Sequence, residues 1–198
     1  MGGSMARKAR VKRTTKETSI TVSWNVDGSG EYSISTGIPF FDHMLDLFAK
    51  HGLFDLEVKA KGDTEVDNHH TVEDVGIAMG SALREALGGM EGIKRYGSAV
   101  VPMDEALCMV AVDISGRSAF VWKGKLQGST GGFDVDVVKE FLQAFVNEAK
   151  LALHVNLLYG SNLHHRVEAV FKALARALRC AVEKDERIKG VLSTKGVL

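Results

Sequence analysis

A chain of 198 residues, 45% apolar and 25% charged, is long enough for one large domain or two fused small ones and has an ordinary globular composition. Lys and Arg number 25 and Asp and Glu 25, so the formal charge of zero excludes a strong global field that recruits nucleic acid or a membrane surface. Cys108 and Cys180 lie in apolar runs, against a disulfide framework or thiolate zinc site, and no run reads as a membrane span or signal peptide; a soluble protein of a reducing, cytoplasmic compartment is expected.

Met1-Gly2-Gly3-Ser4 ahead of Met5 reads as a remnant of recombinant expression and is set aside. Residues 9–26 alternate in part and are rich in Thr and Val, which predicts strand. Asp27-Gly28-Ser29-Gly30 is a turn, and 31–35 a second short strand. Pro39 suits the first turn of a helix carrying Phe40, Phe41, Met44, Leu45, Leu47 and Phe48, which Gly52 ends. Residues 53–59 read as strand. A helix over 71–87 has Val72, Val75, Ala78, Met79, Ala82, Leu83, Ala86 and Leu87 on its buried side, and Gly88-Gly89 closes it.

The second half runs in the same order. Strands are predicted over 106–114 and 119–123, separated by the Ser115-Gly116 turn. A helix over 137–149, a strand over 151–158 and a helix over 165–182 follow. His69-His70-Thr71-Val72-Glu73 in the first half matches His164-His165-Arg166-Val167-Glu168 in the second. Further along, Ala82-Leu83-Arg84 matches Ala177-Leu178-Arg179, and the offset is 95 positions both from 69 to 164 and from 84 to 179. The chain reads as an α+β domain built of two duplicated repeats, about 9–92 and 93–190, followed by a tail at 191–198.

On a helix, residues four apart lie nearly one above the other, so His69 shares a face with Glu73 and His164 with Glu168. Each pair offers a cation one imidazole and one carboxylate. His70 and His165 point elsewhere and can reach a second centre, so two metals are expected. His43 on the earlier helix has Glu140 as its counterpart in the second repeat. Imidazole and carboxylate without thiolate suit manganese, iron or zinc, and a mixed N/O set with open positions leans towards manganese. Other readings stay open on these residues alone. They are a two-metal phosphoester hydrolase, a purely structural metal protein, and a nucleic-acid arm at Arg7-Lys8-Ala9-Arg10-Val11-Lys12-Arg13, whose alternation fits a strand with a basic solvated face equally well.

From Arg10 onward the chain resembles the imidazoleglycerol-phosphate dehydratase family. The likeness rests on Gly37-Ile38-Pro39-Phe40-Phe41-Asp42-His43-Met44-Leu45, on Asp67-Asn68-His69-His70-Thr71-Val72-Glu73-Asp74-Val75-Gly76, and on Pro102-Met103-Asp104-Glu105-Ala106. Arg13-Thr14-Thr15-Lys16-Glu17-Thr18, Arg95-Tyr96-Gly97, Asn162-Leu163-His164-His165, Phe171-Lys172-Ala173 and Ser193-Thr194-Lys195-Gly196-Val197-Leu198 extend it. The resemblance implies helices packed between two sheets in the ribosomal protein S5 domain 2-like manner, and removal of water from D-erythro-imidazole-glycerol phosphate to give imidazole-acetol phosphate in histidine biosynthesis. It implies two Mn2+ ions, one on His43, His70, His164 and Glu168 and the other on His69, Glu73, Glu140 and His165. Many members carry His where this chain has Glu140. Glu17 is implied as the acid/base on the substrate, with Asp104 and Glu105 as weaker candidates. Arg95, Arg117, Lys172, Ser193 and Lys195 are implied to bind the phosphate, and trimers to assemble into an octahedral shell, a 24-mer, with sites between subunits. The tail at 192–198 is expected to be disordered until ligand binds. His51, at a helix end where a charge suits the dipole, and His154, in a strand, read as structural.

Overall fold

The computed structural model describes residues 7–197; the expected remnant at 1–4 and the final Leu198 lie outside them. The first repeat runs β1 (Lys8–Thr14), β2 (Thr18–Asn25), β3 (Tyr32–Ser35), α1 (Pro39–Gly52), β4 (Asp55–Gly62) and α2 (His69–Leu87). The second runs β5 (Tyr96–Met103), β6 (Ala106–Asp113), β7 (Ala119–Lys123), a small hairpin of β8 (Ser129–Thr130) and β9 (Phe133–Asp134), then α3 (Val137–Ala149), β10 (Ala152–Tyr159) and α4 (Leu163–Val182). The two large sheets have orders β1-β2-β4-β3 and β5-β6-β10-β7. Each has two antiparallel pairings and one parallel edge, in the same positions, so the duplication legible in the motifs recurs in the topology.

The four helices lie between the sheets. α2 covers β1 and β2, α4 covers β5 and β6, and the repeats meet where α2 packs on α3 and α1 on α4. Gly76 and Gly80 make the α2–α3 approach possible. A Cβ there would sit 2.6 Å from the carbonyl oxygen of Phe141 and 2.5 Å from that of Phe145. Buried aromatic rings bridge the repeats: Trp24 sits edge-on to Phe48 and Phe54, at 5.5 and 5.3 Å, and 6.3 Å from Phe145. Phe141 continues the chain of rings to Phe41 and Phe171. Among the described residues no helix is long and apolar enough to cross a membrane.

Three sequence expectations change. The strand expected over 9–26 is two strands, because Thr15 Oγ1 accepts the backbone N–H groups of Glu17 and Thr18 and folds the chain back. Its basic residues are therefore no free arm: β1 is paired with β2 from Lys8↔Asn25 to Thr14↔Ser19, and Lys8, Arg10 and Lys12 face outward. The strand expected from residue 53 begins at Asp55, since Leu53 adopts the left-handed conformation that caps α1. β5 has no counterpart in the sequence reading, because Gly97 and Pro102 look like breakers; as an edge strand it tolerates both.

Candidate metal centre and anion cleft

The centre begins with the entry to α1. Asp42 Oδ1 accepts the Thr36 backbone N–H at 2.8 Å and its hydroxyl at 2.5 Å, and so fixes the first turn that presents His43. At the start of α4, the Asn162 side chain accepts the His165 N–H and caps the helix. One turn on, Glu168 Oε1 lies 2.8 Å from His164 Nε2 and 3.4 Å from His43 Nε2. Phe40 packs edge-on against the His164 ring at 5.1 Å and limits its rotation. The Glu168 side chain is only 9% exposed, and Lys172, one turn further, donates to Oε2 at 2.6 Å. Burial pushes the Glu168 carboxyl up, but Lys172, with His164 and His43, outweighs it, and the net shift is downward.

His43, His164 and Glu168 thus turn two imidazole nitrogens and one carboxylate oxygen towards one spot, all within 4.8 Å of one another. Two nitrogens facing a single oxygen, one of them at 3.4 Å, is a poor hydrogen-bond arrangement but a good donor set for a cation, and the N/N/O chemistry suits manganese, iron or zinc. These are three of the four residues expected on the first metal. The fourth, His70, is elsewhere: its Nδ1 lies 3.0 Å from Asp63 Oδ2 and 3.8 Å from Glu17 Oε2, and its pKa is raised, Asp63 being the main cause.

Of the second expected set, His69 Nε2 faces Glu73 Oε2 at 3.9 Å along α2, as the four-residue spacing requires. His165 instead meets the β5–β6 turn, with Nδ1 at 2.7 Å from Glu105 Oε2 and Nε2 at 3.6 Å from Asp104 Oδ2. That contact raises the His165 pKa and, with the Asn162 and Ser161 amides, holds Glu105 down at about 2. Glu140 is exposed on the first turn of α3 and makes no ion pair with the other expected ligands among the described residues.

Sequence reasoning missed Asp74 and Asp63. Asp74 is buried, takes Arg13 Nε at 2.9 Å and the Thr18 hydroxyl at 2.5 Å, and ties the turn carrying Glu17 to the helix carrying His69, His70 and Glu73. Its place directly after Glu73 in the motif was the available signal. At His51, burial, then Lys172 and Arg176, lower the pKa and favour the neutral ring.

The expected anion-binding residues divide. Arg95, Arg117, Ser193 and Lys195 line one cleft of about 810 Å³, together with Arg187 and Lys189. Residues 192–197, expected to be disordered, run along it; Arg95 Nη1 donates to the Leu192 carbonyl at 2.8 Å while Asp113 holds the other face of the guanidinium. Lys172 lies instead at the metal centre, and Glu17 beside His70. The cleft adjoins the C-terminal end of α4, where Arg95 N bonds the Ala181 carbonyl. From Glu168 to Ala181 the helix rises about 20 Å.

The family model for imidazoleglycerol-phosphate dehydratase matches residues 36–178. This chain belongs to that family. It is 58% identical over 195 residues to the imidazoleglycerol-phosphate dehydratases of Acetivibrio thermocellus and Geobacter metallireducens, covering 98% of this chain and 100% of each relative. The crystal structure of imidazoleglycerol-phosphate dehydratase from Staphylococcus aureus superposes with a TM-score of 0.81 at 38% identity, over 90% of this chain and 99% of that one. That of the Pyrococcus furiosus enzyme in complex with (S)-C348 gives 0.82 at 40%, over 95% and 100%. Membership makes the chain a carbon–oxygen hydro-lyase of histidine biosynthesis, not a phosphoester hydrolase or a structural metal protein. The α+β architecture with helices between two sheets is that of the family.

Proposed function

We propose that the chain dehydrates D-erythro-imidazole-glycerol phosphate to imidazole-acetol phosphate at two manganese ions, in the cytoplasm, and that each complete site draws on more than one copy of the chain. The observation that carries this reading is the separation of the pieces. The three-donor group lies near the N-terminal end of α4, and the cationic cleft adjoins its other end about 20 Å away. Five bonds of about 1.5 Å limit the reach from substrate ring to phosphorus to roughly 8 Å. One copy therefore offers its metal donors to a substrate whose phosphate rests in the cleft of another, as trimers assembled into an octahedral shell allow.

In this reading His43, His164 and Glu168 hold one ion with His70 of a neighbouring copy, and His69, Glu73, Glu140 and His165 serve the other. Bound there, the ions supply Lewis-acid polarisation of the substrate's imidazole ring and a template that orients it. Lys172 keeps Glu168 ionised and fixes its free oxygen towards the two imidazoles. Arg95, Arg117, Ser193 and Lys195 bind the phosphate, and the tail at 191–197 closes over it. Glu17, on a turn anchored through Thr18 to Asp74, is exposed enough to meet substrate and moves the carbon-bound proton.

Metal content per chain and dehydratase activity, before and after chelation and manganese restoration, test the proposal. His69→Ala and His164→Ala are each expected to abolish activity and lower bound metal. Full metal content in both variants contradicts the ligand assignment.

A further inference from the structure

The two His-His pairs sort their four rings in the same way. The first histidine of each pair turns Nε2 to the carboxylate four residues on: His69 to Glu73 and His164 to Glu168. The second turns Nδ1 to a carboxylate outside its helix, Asp63 just beyond β4 for His70 and Glu105 in the β5–β6 turn for His165. Asp63 and Glu105 occupy unrelated places in the two repeats, yet each meets the same ring atom.

We propose that Asp63 and Glu105 are positioning residues for metal binding, each accepting the Nδ1–H of its histidine and so leaving the unprotonated Nε2 to receive the cation. A neutral imidazole has one N–H, and the nitrogen that carries it cannot ligate. A carboxylate at Nδ1 selects the tautomer, fixes the ring's rotation and makes Nε2 more basic. Glu105 is well built for this. Its Oε1 accepts Ser161 N, Ser161 Oγ and Asn162 N at 3.0, 3.2 and 2.6 Å, which leaves Oε2 aimed at His165. The same Asn162 caps α4 through the His165 N–H, so backbone and ring of His165 are referred to one loop. Asp63 is simpler: Oδ2 meets His70 at 3.0 Å and, among the described residues, Oδ1 is buried with no partner, so the side chain's one hydrogen-bonded contact there is the imidazole. On the open side of His165, Asp104 Oδ2 stands 3.6 Å from Nε2 and adds negative charge where a cation arrives.

This inference rests on the metal reading above. Its test is Mn2+ affinity, read from free Mn2+ by electron paramagnetic resonance titration of the metal-free full-length protein. Asp63→Leu and Glu105→Leu are expected to weaken Mn2+ binding about 10- to 100-fold, the range for partners that orient a ligating histidine. Asp63→Asn and Glu105→Gln keep a carbonyl acceptor, so they are expected to recover most of that loss. If Glu105→Leu fails to fold, Asp63→Leu and the two amide variants still decide. Normal wild-type uptake with unchanged affinity in Asp63→Leu, or amide variants no better than leucine, overturns the positioning role. A wild type that takes up no Mn2+ overturns the metal reading and this inference with it.

Discussion

Replacing Glu168 by Gln keeps the shape of the side chain and removes its charge where two imidazoles and one ammonium converge. The Lys172–Glu168 contact is 2.6 Å, with side chains 14% and 9% exposed. Breaking a fully buried pair costs about 3–5 kcal/mol; Lys172 keeps some water and the Met103 sulfur, so about 2 kcal/mol is expected here. The larger effect is on metal-linked stability. Metal at a hundred times its Kd stabilises the folded wild type by about 2.7 kcal/mol. If the lost carboxylate weakens binding about a hundredfold, the same metal concentration stabilises Glu168→Gln by about 0.4 kcal/mol. At roughly 2–4 °C per kcal/mol for a domain of this size, the manganese-induced rise in Tm falls from about 5–11 °C to about 1–2 °C. Thermal melts of both proteins with and without Mn2+, at one fixed protein concentration, measure this. An equal manganese-induced rise in the variant would refute Glu168 as a ligand.

Three further outcomes are expected. Gly97→Ala places a Cβ 1.9 Å from the Ala177 carbonyl oxygen and 2.7 Å from the Ala181 nitrogen; neither backbone group can move aside, so urea unfolding should show a loss of about 3 kcal/mol, and a loss below about 1 kcal/mol would mean β5 and α4 separate easily. Asp55 accepts the Ser29 and Glu31 amides and the Asn25 side chain, the Ser29 amide being the main cause of its lowered pKa. Its folded pKa lies below the unfolded one, so its contribution is present above about pH 4 and is lost as pH falls through the folded value; the Tm gap between wild type and Asp55→Asn should be constant near neutrality and close in acid, and a gap that widens in acid would reverse the sign. Deleting residues 193–198 should raise KM sharply while leaving Mn2+ uptake intact, and unchanged KM would remove the tail from the phosphate site.

Much of the architecture was legible because periodicity and burial are local. The helix over 71–87 and its eight buried positions follow from apolar spacing, and all eight are buried. The duplication was legible because both repeats keep a His-His-x-x-Glu start at one offset. Less was legible where local rules give way to tertiary demands. Gly97 and Pro102 argue against a strand, but α4 needs a residue without Cβ at 97 and an edge strand has no need of the proline's missing donor. Thr15 carries no turn signature until its hydroxyl is seen to take two amides. The short β8–β9 hairpin owes its turn to Gly131 and Gly132, both at positive φ, and packs Phe133 against Phe40 and Phe41.

What the amino-acid order determined by itself is the set of donors and the faces they occupy, since a four-residue step puts His164 beside Glu168 and His69 beside Glu73 whatever surrounds them. Which donors meet was a tertiary decision. His43 reaches Glu168 because α1 packs on α4, and His165 turns to Glu105 because the β5–β6 turn, 60 residues away in the chain, closes over the start of α4, while His70 meets Asp63 of the adjoining β4–α2 loop. A helical period acts over one turn, whereas contacts between residues 43 and 168 or 105 and 165 exist only after the sheets and helices have packed.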